Sequence, residues 1–246
     1  QPQSVQELSD GTRVANFTIP SLAAGQTIVL EQRFVVRTYD LNYTVNPMEL
    51  NNNALLPNQF APYLQEENNV EISNQVIREY MEETIGNESN PYYIARRLFA
   101  DINLYLTYQQ IPVPASSALT VLKEGFANCE GYTNLFLATT RAAGIPSRRL
   151  YGYHYSLANN DWQVLQTANG HIDANKIAHT WPEFYIDPIG WIFADPTSTY
   201  TTKTGGQEIK LIDWDRFARI TSQQKYIFFS RKWGADTAEN GFPYTY

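Results

Sequence analysis

GFANCEGYTNLFLATTRAAGIPSRRLYGY, residues 125–153, decides how this chain reads. Asn128 carries a short side chain that can accept from free backbone N–H groups, so it is a natural helix cap, and Cys129 opens the helix behind it. Tyr132, Leu135, Phe136, Thr139 and Ala143 recur at helical spacing and predict its inner face. Gly144 ends the helix, and Pro146 cannot continue it. From Ser147 the pattern becomes a strand, SRRLYGYHYS. The single cysteine of the chain therefore stands at a helix start with a strand to follow.

The upstream side is helical. Over residues 70–85, Ile72, Val76, Ile77, Tyr80, Met81 and Ile85 share one helical face, and Gly86 is a stop. Asn90 followed by Pro91 is a cap and first-turn start for a second helix. Its stripe is Ile94, Leu98, Ile102, Tyr105 and Leu106. A short third helix runs from Ser117 to Lys123 and ends at Gly125. The downstream side is strands: WQVLQT (162–167), HTWPEFYI (179–186), WIFAD (191–195), EIKLI (208–212) and KYIFFS (225–230). Helices first and strands after predict an α+β domain.

At the N-terminus, TRVANFTIP (12–20) and TIVLEQRFVVRTY (27–39) read as strands joined by a turn at Ala24-Gly25. Two or three strands make a poor domain on their own. The expected organisation is therefore a small β extension or partial β-sandwich over 1–46, a Pro- and Asn-rich linker over 47–69, and a catalytic domain over 70–246.

Bulk composition narrows the function classes. Hydrophobic residues make up 43% of the 246, enough for a core. Charged residues are only 17%, aromatic residues 14%, and Tyr alone numbers 17, a mix that favours an extracytoplasmic, secreted or cell-surface protein. The net charge of −7 and the lack of a basic cluster exclude a nucleic-acid binder, which needs cations to displace phosphate counterions. Arg96-Arg97 and Arg148-Arg149 read as solvated surface pairs. No apolar run reaches membrane-span length. The chain opens at Gln1 without a signal peptide, so a processed or trimmed form is expected. One cysteine rules out an internal disulfide, and three scattered histidines with no Asp-rich loop predict no metal and no cofactor.

The chemistry starts at Cys129. A thiolate attacks a carbonyl, and the first turn of a helix stabilises a thiolate through its unpaired N–H groups and dipole. Gly125, Ala127 and Gly131 leave room for a substrate, and backbone N–H groups there can bind an oxyanion. On this local context a packed structural cysteine fits equally well. Three histidines are candidate bases. His154 lies in a Tyr-rich strand, and His171 in a loop, TANGHIDANK. His179 begins a strand, a rigid place from which to present an imidazole. Asp195 can orient that imidazole. A hairpin that sets His179 opposite Asp195 turns at Asp187, inside YIDPIG, and pairs Trp181 with Phe193 and Glu183 with Trp191. Without that register, Asp195 before Pro196 reads as an ordinary turn residue.

Together, the 125–153 stretch and AHTWPEFYIDPIGWIFADPT (178–197) resemble the transglutaminase-like superfamily. The shared pieces are Gly-x-x-x-Cys-x-x-Tyr, Arg-Ala-Ala-Gly-Ile-Pro-x-Arg, His-x-Trp-x-Glu and Gly-Trp-x-x-x-Asp-Pro-Thr. They cover about residues 90–200, in the family's order. The resemblance implies a papain-like triad on an α+β core: Cys129 nucleophile, His179 base, Asp195 orienter. Trp181, Gly190, Trp191 and Pro196 match positions of structural type. The N-terminal strands resemble β modules that precede this core in secreted bacterial and archaeal members. Residues 207–246 match nothing. The implied activity is cysteine-dependent acyl transfer on a protein or peptide, with hydrolysis of amide bonds favoured over cross-linking. The alternative is a non-catalytic surface module that keeps the fold. Tyr108, Gln109 and Gln110 are the candidates for an upstream oxyanion donor.

Overall fold

The computed structural model describes residues 2–8, 11, 13–19, 21–29, 36–50, 56–109, 116–157, 177–197, 199–204 and 206–231. The chain begins with an antiparallel pair, β1 (Ser4–Glu7) and β2 (Arg13–Asn16), which have no other strand partner among the described residues. A turn does close at Ala23–Gln26, but described residues 26–29 and 36–40 are not strand, and 30–35 lie outside the described residues. Among the described residues, 13–16 of the expected first strand pair with 4–7, and the central part of the expected second strand lies outside the described residues. β3 (Leu41–Asn42) follows. The stretch 47–69 contains two short 3-10 helices, Pro47–Glu49 and Asn58–Leu64, and it is packed down: Phe60 is buried against Tyr185 and Trp191.

Four helices then appear in the expected order. α1 (Gln75–Ile85) starts later than the periodicity predicts, because the Asn74 side chain accepts from Val76 N and fixes the first turn there. Ile77 and Met81 are buried, whereas Val76 is exposed. α2 (Pro91–Tyr105) is capped by Asn90, which accepts from Tyr92 N and Tyr93 N. Its buried stripe holds Ile94, Leu98 and Ile102, continues to Leu106, and leaves Tyr105 exposed. β4 (Thr107–Tyr108) leads to α3 (Ala118–Glu124), with Ser117 as N-cap and Gly125 in the left-handed region at φ 73°. β5 (Phe126–Ala127) pairs in parallel with β4 and delivers the chain to α4 (Cys129–Ala142).

α4 is the central element. Every residue from Gly131 to Arg141 is buried, so it packs on all sides rather than along one stripe. Tyr132, Leu135 and Phe136 join Ile77, Leu98, Phe99 and Ile102 in one core. Gly131 is required for that approach: a Cβ there would lie 2.7 Å from Ala127 Cβ and from Val121 Cγ2.

The sheet lies against α4. β6 (Ser147–Ser156), β7 (Ala178–Ile186) and β8 (Gly190–Phe193) are antiparallel neighbours. β9 (Thr199–Thr204) and β10 (Gln207–Ile212) form a separate hairpin. After a 3-10 turn at Trp214–Arg216 comes β11 (Arg219–Ile220), which pairs with β3. β12 (Gln224–Ser230) then pairs with β6 to complete a sheet of order β12-β6-β7-β8. Phe184, Ile186 and Ile192 face the helical core, while Leu150, Trp181, Phe193 and Ile220 form a second cluster. The two clusters follow from the two-residue side-chain period of the strands. The expected strand WQVLQT lies outside the described residues.

Two sequence expectations are corrected here. The β7–β8 hairpin pairs Glu183 with Phe193 and Tyr185 with Trp191, so it centres on Pro188 instead of Asp187. Because the slip is two residues, every side chain keeps its face. The second concerns Arg148-Arg149. Arg148 is paired with Glu183 at 2.7 Å and lies over the Trp191 ring, and Arg149 is buried against Asn134. These arginines clamp sheet, helix and the 47–69 segment together, since Glu67 reaches both Arg141 and Arg149.

Candidate active site

Cys129 is the first residue of α4 and is half-buried. Asn128 caps the helix by accepting from Gly131 N at 3.1 Å. The parallel β4–β5 pair holds this start in place, and Gln109 N donates to Ala127 O at 2.9 Å. Gln109 and Tyr108 therefore run beside the approach to Cys129, while Gln110 lies outside the described residues.

His179 is the second residue of β7 and is a hydrogen-bond partner of the Cys129 thiol. Its Nε2 lies 2.9 Å from Asp195 Oδ2, so Nε2–H donates to the carboxylate and Nδ1 is the nitrogen left for Cys129. The Trp181 ring stacks on the imidazole at a centroid distance of 5.8 Å. Burial by itself lowers the pKa of this ring. The Asp195 charge and hydrogen bond, with a smaller push from Cys129, outweigh it and raise the value to about 9. The site favours an imidazolium.

Asp195 is fully buried. Burial would raise its pKa, but the charges of His179 and Arg216 hold the carboxyl well below its ordinary value. Its Oδ1 accepts from Thr197 N at 3.2 Å and Thr197 Oγ1 at 2.6 Å. The turn-residue reading of Asp195 is thus correct for one oxygen and incomplete for the other. Oδ2 accepts from His179 Nε2, from Arg216 Nη1 at 2.8 Å and from Tyr226 Oη at 2.6 Å.

The other histidines part company. His154, on β6, lies 5.2 Å from His179 between ring centroids and stacks on Tyr226. Burial first, then the positive Arg216 and His179, push it down to about 3, so it is neutral at physiological pH. Its Nε2 is 2.7 Å from Gln224 Oε1. His171 lies outside the described residues. Sequence reasoning missed Arg216, Tyr226 and Thr197. Arg216 stands in DWDR, which looks like any surface i, i+3 charge pair, and no spacing ties it to Asp195. Among the described residues no cluster of His, Cys, Asp or Glu is arranged to hold a metal ion, and no helix is long and apolar enough to cross a membrane.

The family model described as "Transglutaminase-like superfamily" matches residues 78–196. Uncharacterized protein YebA of Bacillus subtilis (strain 168) is 31% identical over 75 residues, 30% of this chain and 10% of that protein. An uncharacterized protein of Haemophilus influenzae is 26% identical over 134 residues, 49% of this chain and 35% of that protein. The chain thus spans no more than about a third of the length of these curated relatives. Among solved structures, the periplasmic domain of TgpA from Pseudomonas aeruginosa is 21% identical with a TM-score of 0.45, covering 58% of this chain and 48% of that one. Red sea bream transglutaminase is 17% identical with a TM-score of 0.37, covering 50% and 26%. Residues 78–196, which carry Cys129, His179 and Asp195, belong to the transglutaminase-like superfamily.

Proposed function

We propose that this chain is a cysteine-dependent acyl-transfer enzyme that hydrolyses amide bonds of peptides or proteins, with Cys129 as nucleophile, His179 as base and Asp195 as orienter. The observation that carries the reading is the shared histidine: one imidazole bonds Cys129 on one side and a buried carboxylate on the other. The chemistry follows. The Cys129 proton passes to His179 Nδ1, and the thiolate adds to the carbonyl carbon, forming a C–S bond. First-turn N–H groups of α4 stabilise the oxyanion. The C–N bond breaks, and the leaving amine takes the proton from Nδ1. Water then gives a proton to Nδ1 and its oxygen to the thioester carbon, and the sulfur departs as thiolate. A primary amine in place of water gives cross-linking. Trp181 shields the imidazole, which keeps these charges effective.

The domain division also belongs to this proposal: 1–46 as a β extension, 47–69 as a connecting segment and 70–246 as the catalytic unit. An extracytoplasmic, secreted or cell-surface location fits the low charge and high Tyr content. The test is digestion of an unfolded protein such as casein, with and without a small primary amine. Wild type releases new peptide ends, and Cys129→Ala releases none. Equal release by both proteins contradicts the proposal, and amine incorporation without new ends moves it to cross-linking.

A further inference from the structure

Asp195 has more partners than an orienting carboxylate needs, and three of them, Thr197 next to it in the turn and the distant Arg216 and Tyr226, come from a part of the chain that the family model does not reach. The match ends at residue 196. Arg216 lies in the 3-10 turn after β10, and Tyr226 lies on β12. Both end on the same oxygen, Oδ2, that holds His179 Nε2. Arg216 is itself locked: it is 7% exposed, its Nε donates to Asp213 Oδ2 at 3.0 Å, and its Nη1 also donates to Tyr226 Oη at 3.0 Å. Arg216 Nη2 donates to Gln224 Oε1 at 3.3 Å, the atom that also meets His154. A buried guanidinium with this many fixed partners is expensive to desolvate, and a surface role would not require it.

We infer that Arg216 and Tyr226 are positioning residues for Asp195, so that the working site extends beyond the family-matched core through β12. This rests on the proposed roles of His179 and Asp195. The pair acts in two ways. It fixes the carboxylate plane, with Thr197 holding the other oxygen. It also draws charge from Oδ2, which moderates the pull of Asp195 on the imidazolium. Sharing one carboxylate oxygen among three donors weakens each bond, and a nearby cation disfavours a second cation. The groups facing His179 are Cys129 from α4, His154 from β6, Asp195 after β8 and Tyr226 from β12, with Arg216 acting through Asp195. Only Arg216 carries a permanent positive charge in that set. Gly152 makes the approach of β12 feasible, since it pairs with both His179 and Phe228 and has no side chain to hold the strands apart.

The test is the pH titration of the His179 ring by NMR in the full chain, for wild type, Tyr226→Phe and Arg216→Met. Removing the Tyr226 hydroxyl leaves Oδ2 one donor fewer, so the imidazolium is held more tightly and the midpoint rises by about half a pH unit. Removing the Arg216 charge raises it further, by about one unit. A merely structural role would lower thermal stability and leave the midpoint in place. A midpoint that stays or falls in Tyr226→Phe overturns the inference, and that conservative variant decides the matter if Arg216→Met does not fold. The shift between variants answers this question whatever the wild-type midpoint. An inert Cys129 would sink the proposed function separately.

Discussion

His179 Nε2 lies 2.9 Å from Asp195 Oδ2, although the two residues never face each other across a strand ladder. β8 ends at Phe193, and the chain then turns to bridge Ala194 to Phe217. Extended past Phe193, the observed register would set Asp195 opposite Trp181, two residues along β7 from His179 and on the same face. The imidazole therefore reaches it diagonally, a distance that long cross-strand side chains span. The contact depends on side-chain reach, and so on the groups that hold the carboxylate still.

Asp195→Asn keeps the shape of the side chain and removes its charge. Asn still accepts from His179 Nε2, so the ring stays oriented. The imidazolium loses the charge that overrides its burial, so its pKa falls from about 9. Activity on a peptide substrate is expected to drop about 10–1000-fold, the range of orienting and electrostatic contributions. Steady-state kinetics beside the NMR titration of His179 checks this. An unchanged rate with an unchanged titration would reduce Asp195 to the turn it makes with Thr197.

The two histidines at the site give stability opposite pH slopes. His179 is raised from 6.5 to about 9, so its stabilisation is complete below about pH 6.5 and is lost as pH rises through 9. His154 is lowered to about 3, so its stabilisation is complete above about pH 6.5 and is lost as pH falls toward 3. One proton of difference corresponds to about 1.4 kcal/mol per pH unit. Replacing His154 by Gln is expected to flatten the acid slope and leave the alkaline one. Denaturant unfolding across pH measures both.

Gly152→Ala tests the seam between β6 and β12. A Cβ at this position would meet Ile227 O at 1.9 Å and Trp181 Cη2 at 2.9 Å, so the strands must part. The cost is on the order of 3 kcal/mol, at the upper end for overpacking. Because β12 carries Tyr226, activity should fall more than the loss of folded protein explains. Denaturant unfolding and activity per folded molecule separate the two effects.

Much of the fold was legible because its signals are local. Asn74, Asn90, Ser117 and Asn128 all cap helices, and each cap fixes an end that periodicity leaves loose. The start of α1 shows the difference: the apolar face extends back to Ile72, but the Asn74 cap decides. The positions proposed for nucleophile, base and orienter could be read from coupled motifs. The hairpin register could not be read to the residue, because alternation fixes the face of a strand and not its phase along the partner. Arg216 and Tyr226 were out of reach for another reason. They lie 21 and 31 residues from Asp195 and meet it only through tertiary folding. The burial of Arg149 was hidden in the same way, since an arginine pair in a strand looks alike whether it is solvated or clamped.

Because Cys129 is the only thiol, its alkylation by iodoacetamide, followed by mass spectrometry across pH, separates a reactive nucleophile from a packed thiol. If Cys129 and His179 form a thiolate–imidazolium pair, wild type reacts at mildly acid pH, where an ordinary thiol is almost inert. Replacing His179 by Gln removes the proton acceptor, so reaction then needs alkaline pH while the fold is kept. Wild-type and His179→Gln profiles that coincide, with reaction only at alkaline pH in both, would contradict the account and leave Cys129 as a packed residue at the start of a helix.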